Sequence, residues 1–177
     1  MEIKLSKSEL VEIINEDIDR LAARSYSEDG VSLFDGIRIK SRDKGVQGRM
    51  LEERDVRLRG LIAFCLGNKE EEDITEVKKD EDGKEVIGTD GKPVLVVTGK
   101  SIVYDIVEQR CGNVPSASSL KVMLRKYLTD AVLYDWYTKH GITASITYED
   151  IDALESKIVC TLRQGYTKKP LQPFGPR

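Results

Sequence analysis

The stretch SSLKVMLRKYLTDAVLYDWYTKH, residues 118 to 140, decides the fold. Leu120, Met123, Leu124, Tyr127, Leu128, Ala131 and Tyr134 recur at spacings of three and four, which lays an apolar stripe along one side of a helix. Pro115, Ser116, Ser118 and Ser119 supply start signals, because short hydroxyl side chains accept from the free amides of a first turn; His140 followed by Gly141 is a stop. Val132, Leu133, Trp136 and Tyr137 widen the apolar surface beyond one stripe. The C-terminal half of this helix is therefore expected to touch partners on more than one side, as core or as a subunit contact.

Working outward, 177 residues with 40% hydrophobic content can enclose one core carrying a protruding arm. A net charge of −3 speaks against a dedicated nucleic-acid binder, whose footprint is strongly basic. The charge is nevertheless blocked: Arg38 to Arg59 carries eight Lys/Arg against Asp43, Glu52, Glu53 and Asp55, whereas Lys69 to Lys92 carries five lysines against ten acids. Cys65, Cys111 and Cys160 are far apart, odd in number and flanked by apolar residues, a pattern of buried thiols in a reducing compartment. The opening MEIKLSKSEL has no apolar leader core and LIAFCL is too short to cross a bilayer, so a cytoplasmic location is expected.

Along the chain, Ser6 and Glu9 form a capping box inside a Leu5–Leu10 staple and open a helix to about Arg24. Asp35-Gly36 predicts a tight hairpin over 31–39. A second helix is predicted over 49–66, with Gly60 costing about 1 kcal/mol unless another backbone packs there. The strand-like 74–77 and 94–97, separated by turns at Asp82-Gly83 and Asp90-Gly91, predict a two-stranded arm inserted at 69–98. Ile102, Val103, Ile106 and Val107 are read as a short helix, Ile142 to Ile146 as briefly extended, and Thr147 with Asp150 as the start of a last helix ending at Gly165. Residues 166–177 hold Lys168, Lys169, three prolines, Arg177 and no acid, the composition of an extended basic tail. The expected architecture is mainly α: one domain, 1–165, of about five helices with a protruding β-hairpin arm, then the tail.

Each chemical motif fails on a specific residue. Thr98-Gly99-Lys100-Ser101 resembles the end of a phosphate loop, but Val94 stands where the glycine that opens the cradle is required. A calcium loop centred on Gly83 would place Lys78 and Thr89 where carboxylates are needed. His140 is the only histidine, and its place in a last helical turn suits the helix dipole better than catalysis. The basic run from Arg38 to Arg59 has only Phe34 and Phe64 nearby, without the aromatic interleaving of a single-strand platform. Opposite blocks on one chain can instead join copies head to tail, and such contacts close into rings when the rotation allows.

The helix ending Asp130-Ala131-Val132-Leu133-Tyr134-Asp135-Trp136-Tyr137, the break at Gly141, the last amphipathic helix and the tail Tyr166-Thr167-Lys168-Lys169-Pro170 resemble the head-tail connector or adaptor (neck) proteins of tailed phages and prophages. The resemblance covers about a third of the chain, Ser118 to Pro170. It implies a non-enzymatic structural subunit without cofactor, metal or small-molecule substrate, assembling as a homo-oligomeric ring with other virion neck proteins. Expected contact residues are Arg54, Arg57 and Arg59, Glu70, Glu71, Glu72 and Asp73, Trp136 and Tyr137, and Lys168 and Lys169. The alternatives are a nucleic-acid-binding accessory protein and a small host-directed interaction domain.

Overall fold

The computed structural model describes residues 1–24, 44–80, 82–89, 91–112, 114–143 and 145–163. The hairpin expected at 31–39, the basic residues Arg38, Lys40 and Arg42, and the tail with Lys168 and Lys169 lie outside the described residues. The described chain is mainly α, with a small antiparallel sheet: β1 (Glu2–Ser6), α1 (Lys7–Arg24), α2 (Lys44–Ile62), β2 (Glu71–Val77), β3 (Leu95–Asp105), α3 (Ala117–Lys139) and α4 (Tyr148–Arg163). One-turn 3₁₀ segments follow α2 at Ala63–Cys65 and β3 at Glu108–Arg110.

The central helix forms as its pattern predicts. Ser116 caps α3 by accepting from the Ser119 amide, and Gly141, at φ 66°, carries the chain away from its end. α3 packs against α1, α2 and α4 and against β1. Its wide apolar surface is therefore enclosed within the chain, with Leu120, Leu124, Tyr127, Leu128, Ala131, Val132, Leu133, Trp136 and Tyr137 all buried. In α1, Leu10, Ile14 and Ile18 face the same core, as do Leu51, Leu58 and Ile62 of α2. The capping box that opens α4 is complete: the Thr147 hydroxyl accepts from the Asp150 amide at 3.2 Å, and the Asp150 carboxylate accepts from the Thr147 amide at 2.9 Å.

Two expectations are corrected by the sheet. Residues 102–105 are strand, not helix: the run from Leu95 continues through Gly99-Lys100-Ser101 into Ile102-Val103-Tyr104-Asp105 as one strand, and the described residues hold four α-helices. The physical reason is that this half of β3 is the middle strand of the order β1-β3-β2. Ile102, Val103 and Tyr104 are all buried there, and a strand covered on both faces shows a continuous apolar run instead of an alternation. The phosphate-loop likeness falls with the helix that it needed. The predicted strands 74–77 and 94–97 do pair, with Glu76 opposite Val96 and Val77 opposite Leu95. They are not a separate insertion, however, since β3 runs on into the core and takes β1 as its second partner, with Ile3 opposite Tyr104 and Leu5 opposite Ile102.

Between β2 and β3, Gly83 and Gly91 adopt φ of 78° and 76°, the left-handed conformation that Asp-Gly turns require. Residues 142–146 form no strand among those described. Gly67 sits under a tight constraint: a Cβ there would lie 2.0 Å from the Asp105 carboxylate.

Candidate interaction surfaces

The three arginines expected on an open basic face radiate from α2 to three different parts of the fold. Arg54 points to α3, where its Nε donates to Asp135 Oδ2 at 2.6 Å and its Nη2 to Asp135 Oδ1. Arg57 points to α4, donating from Nε and Nη2 to the two Glu155 oxygens at 2.6 and 2.8 Å. Arg59 points to the sheet, pairing with Asp55 at 2.8 Å and donating to the Glu70 and Val103 carbonyls, both at 3.0 Å. Its guanidinium also lies 4.8 Å from the centre of the Tyr104 ring. Planar guanidinium groups suit such forked pairing. The arginines thus tie α2 to its neighbours.

The partners form a connected polar layer. Glu155 is 5% exposed and also accepts from the buried Tyr127 hydroxyl at 2.8 Å. Burial alone would raise its carboxyl, but the Arg57 and Tyr127 hydrogen bonds outweigh that and hold it below its ordinary value. The same burial, reinforced by the Glu155 carboxylate, pushes the Tyr127 phenol up. Tyr104 donates to Asp55 at 2.6 Å, and burial followed by the Asp55 charge raises its phenol as well. Asp55, Asp135 and Glu155 were not foreseen as partners. Glu155 had a visible signal, since with Ile151, Ile158 and Leu162 it occupies the buried side of α4.

The acidic block has a different setting. Glu71 is held by Lys7 at 2.5 Å and Lys100 at 3.2 Å, and Glu72 by Lys4 at 2.5 Å and Lys69 at 2.9 Å. Hydrogen bonds from Lys4 and then Lys69 take the Glu72 carboxyl down to about 2. Asp73 and the side chain of Glu70 have no ion-pair partner among the described residues. Among the described residues the basic and acidic blocks therefore share no ion pair: lysines from β1, β3, the first turn of α1 and the loop before β2 hold Glu71 and Glu72, and carboxylates from helices hold Arg54, Arg57 and Arg59.

Trp136 and Tyr137, expected as contact residues, are core, at 1% and 6% exposure. His140 Nδ1 donates to the Trp136 carbonyl at 2.8 Å, with its ring 4.1 Å from the indole, a helix-end contact. Cys65 is buried, Cys111 half-buried and Cys160 exposed, which corrects the expectation of three buried thiols; Cys160 lies between Ile158 and Leu162 on the outer side of α4. Burial, and then the neighbouring Cys111, pushes the Cys65 thiol up to about 12, so it is a poor nucleophile. Among the described residues there is no cluster of three or more His, Cys, Asp or Glu side chains placed to hold a metal. No described helix is long and apolar enough to cross a membrane.

The apolar side chains that the chain leaves uncovered lie mainly on the distal part of the β2–β3 ribbon. Leu95, Val96 and Val97 are 60%, 43% and 56% exposed, and Ile87 beyond them is also exposed. β1 covers β3 only from Ser101 to Asp105, so Leu95 to Lys100 has β2 on one side and no strand on the other among the described residues. No family model, curated protein or solved structure matches this chain.

Proposed function

We propose that this protein is a non-enzymatic assembly subunit of the kind found at a phage or prophage head-tail junction, in which a rigid helical body sets an angle and the β2–β3 ribbon, acting as a projecting arm, reaches a neighbour. The observation that carries this reading is the exposed Leu95-Val96-Val97 run, which continues a core strand past the point where β1 and the helices cover it. Apolar strand residues left in water mark a surface that gains by association. The body suits the role because α2 is cross-tied to α3, α4 and the sheet by three arginines, which resists shear between the layers. The basic terminal segment with Lys168 and Lys169 supplies a second contact in this reading. Trp136, Tyr137 and the three arginines serve the body and not the contacts.

The test is the mass distribution of the full chain by native mass spectrometry at rising concentration, beside a Leu95→Ser/Val97→Ser variant. Assemblies larger than a dimer are expected for the wild type and their loss in the variant. Identical distributions for the two proteins would sink the proposal.

A further inference from the structure

β2 is the outer strand of the sheet, and only its β3 side is paired among the described residues. Two hydrogen bonds fix which backbone groups look outward. The Val103 amide donates to the Glu70 carbonyl at 2.8 Å, and the Lys78 amide to the Val94 carbonyl at 2.7 Å. Residues 70, 72, 74, 76 and 78 therefore direct their backbone groups toward β3, and residues 71, 73, 75, 77 and 79 direct theirs away, by the alternation of an extended strand. The register shift between Ile74 and Thr75 leaves this alternation intact, because the extra residue, Thr98, is on β3, with its hydroxyl returning to the Ile74 carbonyl at 3.3 Å.

Exposed strand edges are commonly kept apart by charge. Along this edge the charge changes sign: Glu71, Glu72 and Asp73 stand at one end, Lys78 and Lys79 at the other. A strand so patterned is complementary to itself when run antiparallel. We infer that the outer edge of β2 is a docking surface for the β2 edge of a second copy of this chain, paired antiparallel about a two-fold axis at Thr75. That register sets Glu71 opposite Lys79 and Glu72 opposite Lys78 in both halves, with Asp73 diagonal to Lys79 on the same face. It also brings the outward amides and carbonyls of 71, 73, 75, 77 and 79 onto one another. An axis at Asp73 or Glu76 would instead oppose like carboxylates.

The supporting side chains are in place. Glu71 and Glu72 are oriented by lysines of their own chain, while Lys78 and Lys79 are exposed, with no ion-pair partner among the described residues. The contact is isologous, so it joins copies in twos. It does not depend on the head-tail reading.

Sedimentation velocity of the full chain between about 1 and 100 µM tests it. A concentration-dependent two-fold association is expected, seen as a dimer in the Leu95→Ser/Val97→Ser background that removes larger assemblies, and weakened at least about tenfold there by Lys78→Glu/Lys79→Glu. It should be lost in Thr75→Pro, which removes an outward amide but none of the bonds to β3. In a Cys160→Ser background, Thr75→Cys should cross-link to itself through a short bis-maleimide, and Val122→Cys on α3 should not. A chain that stays monomeric at the top of the range overturns the inference. So does a dimer indifferent to the charge reversal, or one in which Thr75→Cys fails to cross-link.

Discussion

The basic residues of α2 and the β2–β3 ribbon are both charge-rich, yet the fold treats them in opposite ways. Around α2 the charges are absorbed: Arg54, Arg57 and Arg59 each meet a carboxylate of the same chain, and Leu58 between them is buried. On the ribbon lysines hold Glu71 and Glu72, but Asp73, Lys78, Lys79 and the Leu95-Val96-Val97 run remain in water. The difference teaches that a block of like charge says little about where contacts with other molecules lie. What matters is whether the fold supplies counter-charges at bonding distance.

Substitutions can sharpen that contrast. The largest effect is expected at Trp136, buried on α3: Trp136→Ala should lower unfolding stability by about 3–5 kcal/mol in urea titrations. Arg57→Ala should cost about 3 kcal/mol, because it strands the buried Glu155 charge, and equal stability of this variant and Lys121→Ala would break the comparison. The pH dependence follows from the sign of the Glu155 shift. Its folded value is depressed below the ordinary 4.5, so its contribution is present above that pH and is lost as pH falls through the folded value. In Arg57→Ala burial acts without the guanidinium, and the loss should begin at higher pH, as read from urea midpoints across an acid series.

A gain is expected at Gly60. A Cβ there meets nothing within 4 Å, so no backbone packs against it, and Gly60→Ala should stabilise the chain by about 0.5–1 kcal/mol in the same titrations. The smallest effect belongs to the ribbon. Leu95→Ser should leave stability within about 0.5 kcal/mol of the wild type. A loss comparable to that at Trp136 would mean that this strand is part of the core and would erase the distinction between the two regions.

Local signals were legible in proportion to how much of their physics is local. The cap and glycine stop of α3, the capping box of α4 and the two Asp-Gly turns could all be read from neighbouring residues. β1 had an audible signal, Ile3 and Leu5 alternating with Glu2 and Lys4, but its partner Ile102 lies nearly a hundred residues away. Without that partner, Ser6-Lys7-Ser8-Glu9 marks only a helix start. The segment at 102–107 was misread because Ile102, Val103, Ile106 and Val107 satisfy a helical spacing as well as a buried strand, and only its β-branched residues leaned toward strand.

By itself the sequence determined the four helices that the fold contains, where most of them begin and end, and that a charged two-turn segment would join two strands, but it added a fifth helix from Ile102 that is part of β3. Those properties follow from periodicity and from caps within a turn of the chain. Only the tertiary structure decided which charges are neutralised, that Trp136 and Tyr137 face inward, and that β3 is shared between the core and the exposed ribbon. Hydrogen bonds and ion pairs act over a few ångströms in space, and no sequence spacing specifies that Arg57 and Glu155, 98 residues apart, will stand that close.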